Sequence, residues 1–334
     1  MKIVVRAPNW IGDSILAIPA IESLSKNTPD IKIWIAAQPW VKDLFTSFDF
    51  IEGIIPIQCQ TNLKNLNNSA RKLKDFHFDA GLLLTNSFSS ALLFYRAKIP
   101  ERWGYIRDSR QILLTKGVPL KNQEEYFHQV KFYLDLISAL GFKTIPPKLS
   151  LPLTQKEKRD SKKMLLSLGV DLKKNIIIFN PGAFYGPAKR WPPSNYAKLA
   201  GMFQQRNDTE ILIIGSINET FLGESIASEM SKKPTLLAGK TNLRLLAGII
   251  SHSNLLVTND SGPMHMANAL NIPIVSLFGP TDPRVTGPFQ ETASVIKKDV
   301  ACWPCSYREC PFDHRCMMRI EPAEVYKVCL TYLK

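Results

Sequence analysis

The sequence predicts two doubly wound α/β domains in tandem, and three observations carry that expectation. Short apolar runs alternate with amphipathic helical patterns, in two series. A proline-rich stretch without helical period, "FKTIPPKLSLPLT" (142–154), separates the series. The chain has 334 residues, more than one ordinary hydrophobic core organises. Regular strand–helix alternation means βαβ units, hence parallel sheets with helices on both faces.

The elements follow in order. In the first series "KIVVRA" (2–7), "IKIWIAA" (31–37), "IEGIIPI" (51–57) and "DAGLLLT" (79–85) read as strands. Helices are expected near 13–25, 40–47, 60–74 and 87–97, and shorter strands within "GYIRDSRQILLT" (104–115). Apolar spacing in "QEEYFHQVKFYLDLISALG" (123–141) gives an amphipathic helix closed by Gly141. In the second series the strands are 175–180, 209–215, 234–239, 254–259 and 272–279. Its helices lie near 155–168, 193–206, 218–230, 242–251 and 261–270, with a last helix near 322–333. In such sheets ligands bind beyond the carboxyl ends of the strands, so a cleft between the domains is the expected site.

Composition narrows the function classes. Apolar residues make up 45% and charged residues 21%, a globular balance. No apolar run approaches the roughly 20 residues of a transmembrane helix. "MKIVVRAPNWIGDSILAIPA" is interrupted by Arg6, Pro8 and Asp13, unlike a signal peptide, so a cytoplasmic protein is expected. The formal net charge of +13 favours anionic partners. Its cations are dispersed and no nucleic-acid motif stands out, which leaves a membrane surface or a phosphorylated substrate.

The chemistry is expected at strand-to-helix corners. In "VVRAPNWIGDSILAIPAI" (4–21), Asp13 falls at a helix start, as an N-cap or as a general base facing the cleft. "FNPGAFYGPAKRWPPSNYAKLA" (179–200) carries Lys189 and Arg190 in a Gly/Pro-rich loop, a solvated basic turn or a phosphate contact. It has neither P-loop nor GxGxxG spacing. Glu219 follows a strand and can bind a ribose or complement a helix dipole. In "TNDSGPMHMANAL" (258–270), Asp260 and Ser261 can cap a helix starting near Gly262. The free N–H groups of that start form a diphosphate site, and His265, one turn in, donates to phosphate or simply packs. Finally, "CWPCSYRECPFDHRC" (302–316) holds Cys302, Cys305, Cys310 and Cys316 with His314. The spacing is no standard knuckle and leaves zinc, a labile disulfide and reduced packing thiols open.

Together "NWIGDSILAIPAI", "NPGAFYGPAKRWP", "TNDSGPMHMANAL" and "SLFGPTDP" resemble, in order and spacing, the ADP-heptose:lipopolysaccharide heptosyltransferases, inverting enzymes of the GT-B fold. "GPAKRWP" and the cysteine-rich segment look most like the heptosyltransferase II branch, which adds the second inner-core heptose. The resemblance implies an acceptor-binding domain (1–150) and an ADP-heptose-binding domain (151–320); the terminal helix (321–334) is expected to pack back on the first domain. It implies Asp13 as catalytic base and Lys189 as the cation on the leaving ADP. Glu219 would hold the ribose, Thr241 the adenine loop and Asp260 the donor heptose. Ser261, Gly262, Met264 and His265 would line the diphosphate. The donor-contacting threonines of the first-heptose enzymes are replaced here by "AFYG" (183–186). Arg96, Lys98, Arg102, Arg107 and Arg110 are expected acceptor contacts. No D-x-D pair occurs, so no catalytic metal is expected. The expected partners are ADP-heptose, a heptose-bearing Kdo2–lipid A and the inner leaflet of the cytoplasmic membrane. Nucleic acid is not expected, and the enzyme is expected to be a monomer. Other core-heptose acceptors, a sugar-nucleotide epimerase, or a basic nucleotide- or nucleic-acid-binding module are the alternative readings.

Overall fold

The computed structural model describes residues 1–27, 30–58, 62–120 and 128–333. It divides into Met1–Pro152 and Leu153–Lys334, each with its own parallel six-stranded sheet. Residues 123–127 of the expected 123–141 helix lie outside the described residues.

In the first unit the strands are β1 (Lys2–Arg6), β2 (Lys32–Ala37), β3 (Ile51–Pro56), β4 (Ala80–Leu83), β5 (Glu101–Tyr105) and β6 (Lys116–Val118), in the order β3-β2-β1-β4-β5-β6. The helices are α1 (Ile11–Leu16), α2 (Ile18–Ser25), α3 (Leu63–Lys74), α4 (Phe88–Arg96) and α5 (Gln129–Ala139). The single helix expected over 13–25 is two, because Pro19 has no N–H to continue the ladder past Ala17. The helix expected over 40–47 is a four-residue 3-10 turn, Lys42–Phe45. The core joins Val4, Ala36 and Leu83 of the sheet to Leu93 and Phe94 of α4, all buried.

The second unit repeats the plan. Its strands are β7 (Asn175–Asn180), β8 (Thr209–Ile213), β9 (Thr235–Leu236), β10 (Leu255–Asn259), β11 (Ile274–Phe278) and β12 (Ala293–Lys297), ordered β12-β11-β10-β7-β8-β9. Its helices are α6 (Gln155–Ser167), α7 (Pro193–Gln204), α8 (Thr220–Glu229), α9 (Leu243–Ile250), α10 (Gly262–Ala269), α11 (Pro283–Thr286), α12 (Arg315–Met318) and α13 (Pro322–Leu330). Both sheets reverse direction of growth at their centre, between β1 and β4 and between β7 and β10. In doubly wound sheets that switch point opens a crevice at the carboxyl ends.

The terminal helix differs from expectation. Val325 and Cys329 of α13 enter the second unit's core with Phe203 of α7 and Leu277 of β11. The Trp191 indole donates to the Ile320 carbonyl at 3.0 Å, tying the approach to α13 to the same core. This helix completes the second unit's own apolar face, which the motif order alone could not assign.

Candidate active site

In the second unit five loops leave the carboxyl ends of β7 to β11. They carry, in turn, Pro181–Lys189, Ser216–Glu219, Thr241, Asp260 with Ser261, and Pro280–Thr281. Asn259 anchors this end. It is fully buried, and its side-chain amide donates to the Pro181 carbonyl at 2.8 Å. Its Oδ1 accepts from the Trp191 backbone N–H at 3.1 Å and the Tyr196 hydroxyl at 3.3 Å. One side chain thus fixes both ends of the 181–191 loop to the sheet centre.

That loop delivers Lys189 from a 3-10 turn, Pro187–Lys189. Its ammonium lies 2.5 Å from Asp260 Oδ2, with both side chains nearly buried. The same carboxylate oxygen accepts from the Thr281 hydroxyl at 2.7 Å. Tyr185 lies with its ring centroid 4.8 Å from the ammonium. Lys189 is therefore a desolvated, paired cation and not a solvated turn.

Glu219 does two things at once. Its Oε2 accepts from the Ser216 N–H at 2.9 Å and hydroxyl at 2.7 Å, closing a capping box. Its Oε1 stands against Gly182 and 3.9 Å from the Arg190 guanidinium. A Cβ at residue 182 would collide with this carboxylate, so a larger residue there would push the Glu219 side chain aside.

Asp260 and Ser261 do not cap α10. Ser261 is the N-cap residue, but its side chain makes no cap bond. Its hydroxyl accepts from the Asn180 amide at 2.6 Å instead, and Asp260 is committed to Lys189. The helix start at Gly262 is left open to an anionic group, with Pro263 removing one donor. Met264 and His265 are buried in α10, and Thr241 is half-buried just past β9.

In the first unit Asp13 is not the N-cap of α1. That position is Trp10, without a side-chain cap bond, and Asp13 falls in the first turn. Burial, and after it the charge of Asp13, raise the Tyr133 phenol above its ordinary range, so the carboxylate acts electrostatically on this tyrosine. The expected acceptor cations divide. Arg96, Lys98 and Arg107 are exposed. Arg110 is fully buried, donating to the Tyr105 carbonyl at 2.8 Å and Asn86 Oδ1 at 3.1 Å, and burial pulls it down to about 10. Arg102 donates to the carbonyls of Ile99, Pro100 and Leu113. Both hold the β5–β6 region together and are removed from the acceptor set.

Cys302, Cys305, Cys310 and Cys316 are free thiols lining one small pocket with His314. Among the described residues no group of three or more His, Cys, Asp or Glu is placed to hold a metal ion. Burial pushes the Cys316 thiol up to about 11. The segment's visible work is bracing. The Arg308 carbonyl accepts from the Ala188 N–H at 3.0 Å, and His314 Nε2 lies 2.7 Å from the Ala188 carbonyl. Ser306 receives the Tyr185 hydroxyl, and Trp303 donates to the Thr281 carbonyl. Sequence reasoning missed this brace, and Asn259 with it. Only the adjacency of Asn259 to Asp260 hinted at a role.

Two doubly wound units, with a cation, two carboxylates and an open helix start gathered at the second switch point, place the protein among the GT-B glycosyltransferases. Residues 67–315 match glycosyltransferase family 9 (heptosyltransferase). The chain belongs to that family and is an enzyme of the glycosyltransferase class. It is 30% identical to lipooligosaccharide heptosyltransferase 2 of Campylobacter jejuni, covering 100% of this chain and 99% of that protein. It is 30% identical to lipopolysaccharide heptosyltransferase 2 of Escherichia coli, covering 89% and 88%. Among solved structures, the E. coli ADP-heptose LPS heptosyltransferase II superposes with a TM-score of 0.87 at 28% identity, covering 100% and 98%.

Proposed function

We propose that the protein transfers heptose from ADP-L-glycero-D-manno-heptose to the first heptose of the lipopolysaccharide inner core, inverting the anomeric carbon. The observation that carries this reading is the Lys189–Asp260–Thr281 cluster at the second switch point, in a chain matching heptosyltransferase 2 enzymes over nearly their whole length. The donor lies on the second unit. Glu219 Oε1 receives the ribose hydroxyls, the Thr241 loop meets the adenine, and the start of α10 with Ser261, Gly262, Met264 and His265 receives the diphosphate. Asp260 contacts the donor heptose, and Lys189 neutralises charge on the departing β-phosphate. Asp13 on the first unit takes the proton of the acceptor hydroxyl. The acceptor oxygen then forms its bond to C1 as the C1–O bond to ADP breaks, and ADP leaves. Helix dipole and lysine supply the electrostatics that a metal supplies elsewhere, so the reaction proceeds without one.

The acceptor is a heptose-bearing Kdo2–lipid A, and the enzyme works as a monomer on the cytoplasmic face of the inner membrane. The +13 charge supports attraction to anionic lipid. No helix among the described residues is long and apolar enough to cross a membrane. A mass-resolved assay offering ADP-heptose with acceptors carrying zero, one or two heptoses tests the reading. Transfer to the one-heptose acceptor alone, with ADP release, is expected. Transfer to another acceptor only, or isomerised sugar nucleotide without acceptor, overturns it.

A further inference from the structure

The loops leaving the carboxyl ends of the first sheet carry exposed large apolar residues. Two of them lie on adjacent paired strands: Trp10 after β1 and Trp40 after β2. Trp10 is 49% exposed and Trp40 is 51% exposed. They are not loose side chains on a mobile loop. The Trp40 indole N–H donates to the Asn9 carbonyl at 2.8 Å, which sets its ring against the residue preceding Trp10. The Asn9 side chain is held by the buried Arg6 guanidinium at 2.5 Å. The Ser14 hydroxyl donates to the Pro8 carbonyl at 3.0 Å. Arg6, Ser14 and Trp40 therefore pin the 8–10 turn from three directions, and Trp10 is the residue from which α1 carries Asp13.

Isolated apolar residues on a surface need no explanation. Two half-exposed indoles on neighbouring loops joined by a hydrogen bond, one of them at the start of the helix that carries a carboxylate, are a different case. Indoles give large, rigid contact area at low entropic cost, and they keep an apolar face with a polar edge. Beside Asp13, which repels anions, the matching ligand is neutral. It has one C–H face to cover the rings and hydroxyl edges left for water or protein. A pyranose ring fits that description, whereas a phosphate or carboxylate does not.

We infer that Trp10 and Trp40 form an aromatic platform that binds the neutral pyranose ring of the acceptor beside Asp13. This rests on the reading that Asp13 serves the acceptor. It adds the residues that hold the acceptor sugar, as distinct from its charged groups.

The test uses the full-length enzyme and a deacylated core saccharide ending in one heptose. Trp40→Ala raises the acceptor KM about tenfold, an effect of the size expected for an aromatic anchor, with kcat within about twofold and donor KM unchanged. Trp40→Phe restores most of the loss, and Trp10→Ala behaves like Trp40→Ala. Calorimetric titration of the saccharide without donor shows the same loss of affinity. An unchanged acceptor KM overturns the platform. So does a loss confined to the acylated acceptor in vesicles, which assigns the indoles to lipid. If no transfer occurs to any heptose-bearing acceptor, the functional reading fails, and the calorimetric comparison still decides the platform.

Discussion

Lys189 Nζ lies 2.5 Å from Asp260 Oδ2, and Thr281 donates to the same oxygen. Removing one member of a nearly buried pair strands the other charge. Lys189→Met therefore lowers transfer at least about a hundredfold and destabilises the protein by about 3 kcal/mol. The double variant Lys189→Met/Asp260→Asn is more stable than the single one, because no charge is left unpaired. Thermal unfolding and steady-state kinetics on the four proteins of the cycle check this; additive stability losses would contradict the coupling.

Glu219 uses one oxygen to cap and leaves the other beside Gly182. Glu219→Gln keeps an oxygen for the Ser216 N–H and keeps the fold, but it loses the charge facing Arg190. Donor KM rises about tenfold with little change in melting temperature, a loss of one charge-assisted hydrogen bond. Gly182→Ala drives its Cβ into the same carboxylate and gives a similar rise in donor KM. A rise in acceptor KM alone would remove Glu219 from the donor site.

The fold was legible where burial leaves a mark. β7, β10 and β11 are fully or almost fully buried strands, and their apolar runs announce them. β5 begins Glu101–Arg102, with charges spent on local bonds, so hydropathy hides it. β12 is a half-covered edge strand without an apolar run. At the site, sequence order located Lys189, Glu219 and Asp260 but could not show who pairs with whom. Arg110 illustrates the limit: a formal charge reads as surface, yet its guanidinium is folded onto carbonyls. Its replacement should therefore act on stability. Arg110→Met costs about 2–4 kcal/mol through unpaired carbonyls, leaving acceptor KM unchanged in the folded fraction.

Gly186 packs its backbone against the Arg308 carbonyl, and a Cβ there would be driven into that oxygen. Backbone cannot yield as a side chain does. Gly186→Ala shifts the 183–189 loop, costing about 1–3 kcal/mol. It also lowers kcat more than it changes either KM, because the displaced group is Lys189. His314→Ala, losing the contact to the Ala188 carbonyl, gives a smaller loss of kcat of the same kind. Equal effects on kcat and donor KM would mean that the loop binds ground-state donor and is not poised for the leaving group.

Glu157 joins α6 to α9 through Arg244, at 2.6 Å, and closes the α6 capping box with Thr154. The hydrogen bond from Arg244 is the main cause that lowers its carboxyl to about 2. A carboxylate depressed on folding contributes stability above its unfolded value, near 4.3, and loses it as pH falls through the folded value. The contribution is therefore complete at neutral pH and disappears between about pH 4.5 and 2, and it amounts to about 1–2 kcal/mol after screening of a partly exposed pair. Glu157→Gln separates the two jobs of the side chain, since glutamine preserves a capping box but not the ion pair. The variant melts lower at pH 7, and its deficit shrinks as the pH is lowered below 4. Melting curves of both proteins from pH 7 to 3 check the sign: a deficit that grows on acidification would show that the pair does not carry the acid response of this helix junction.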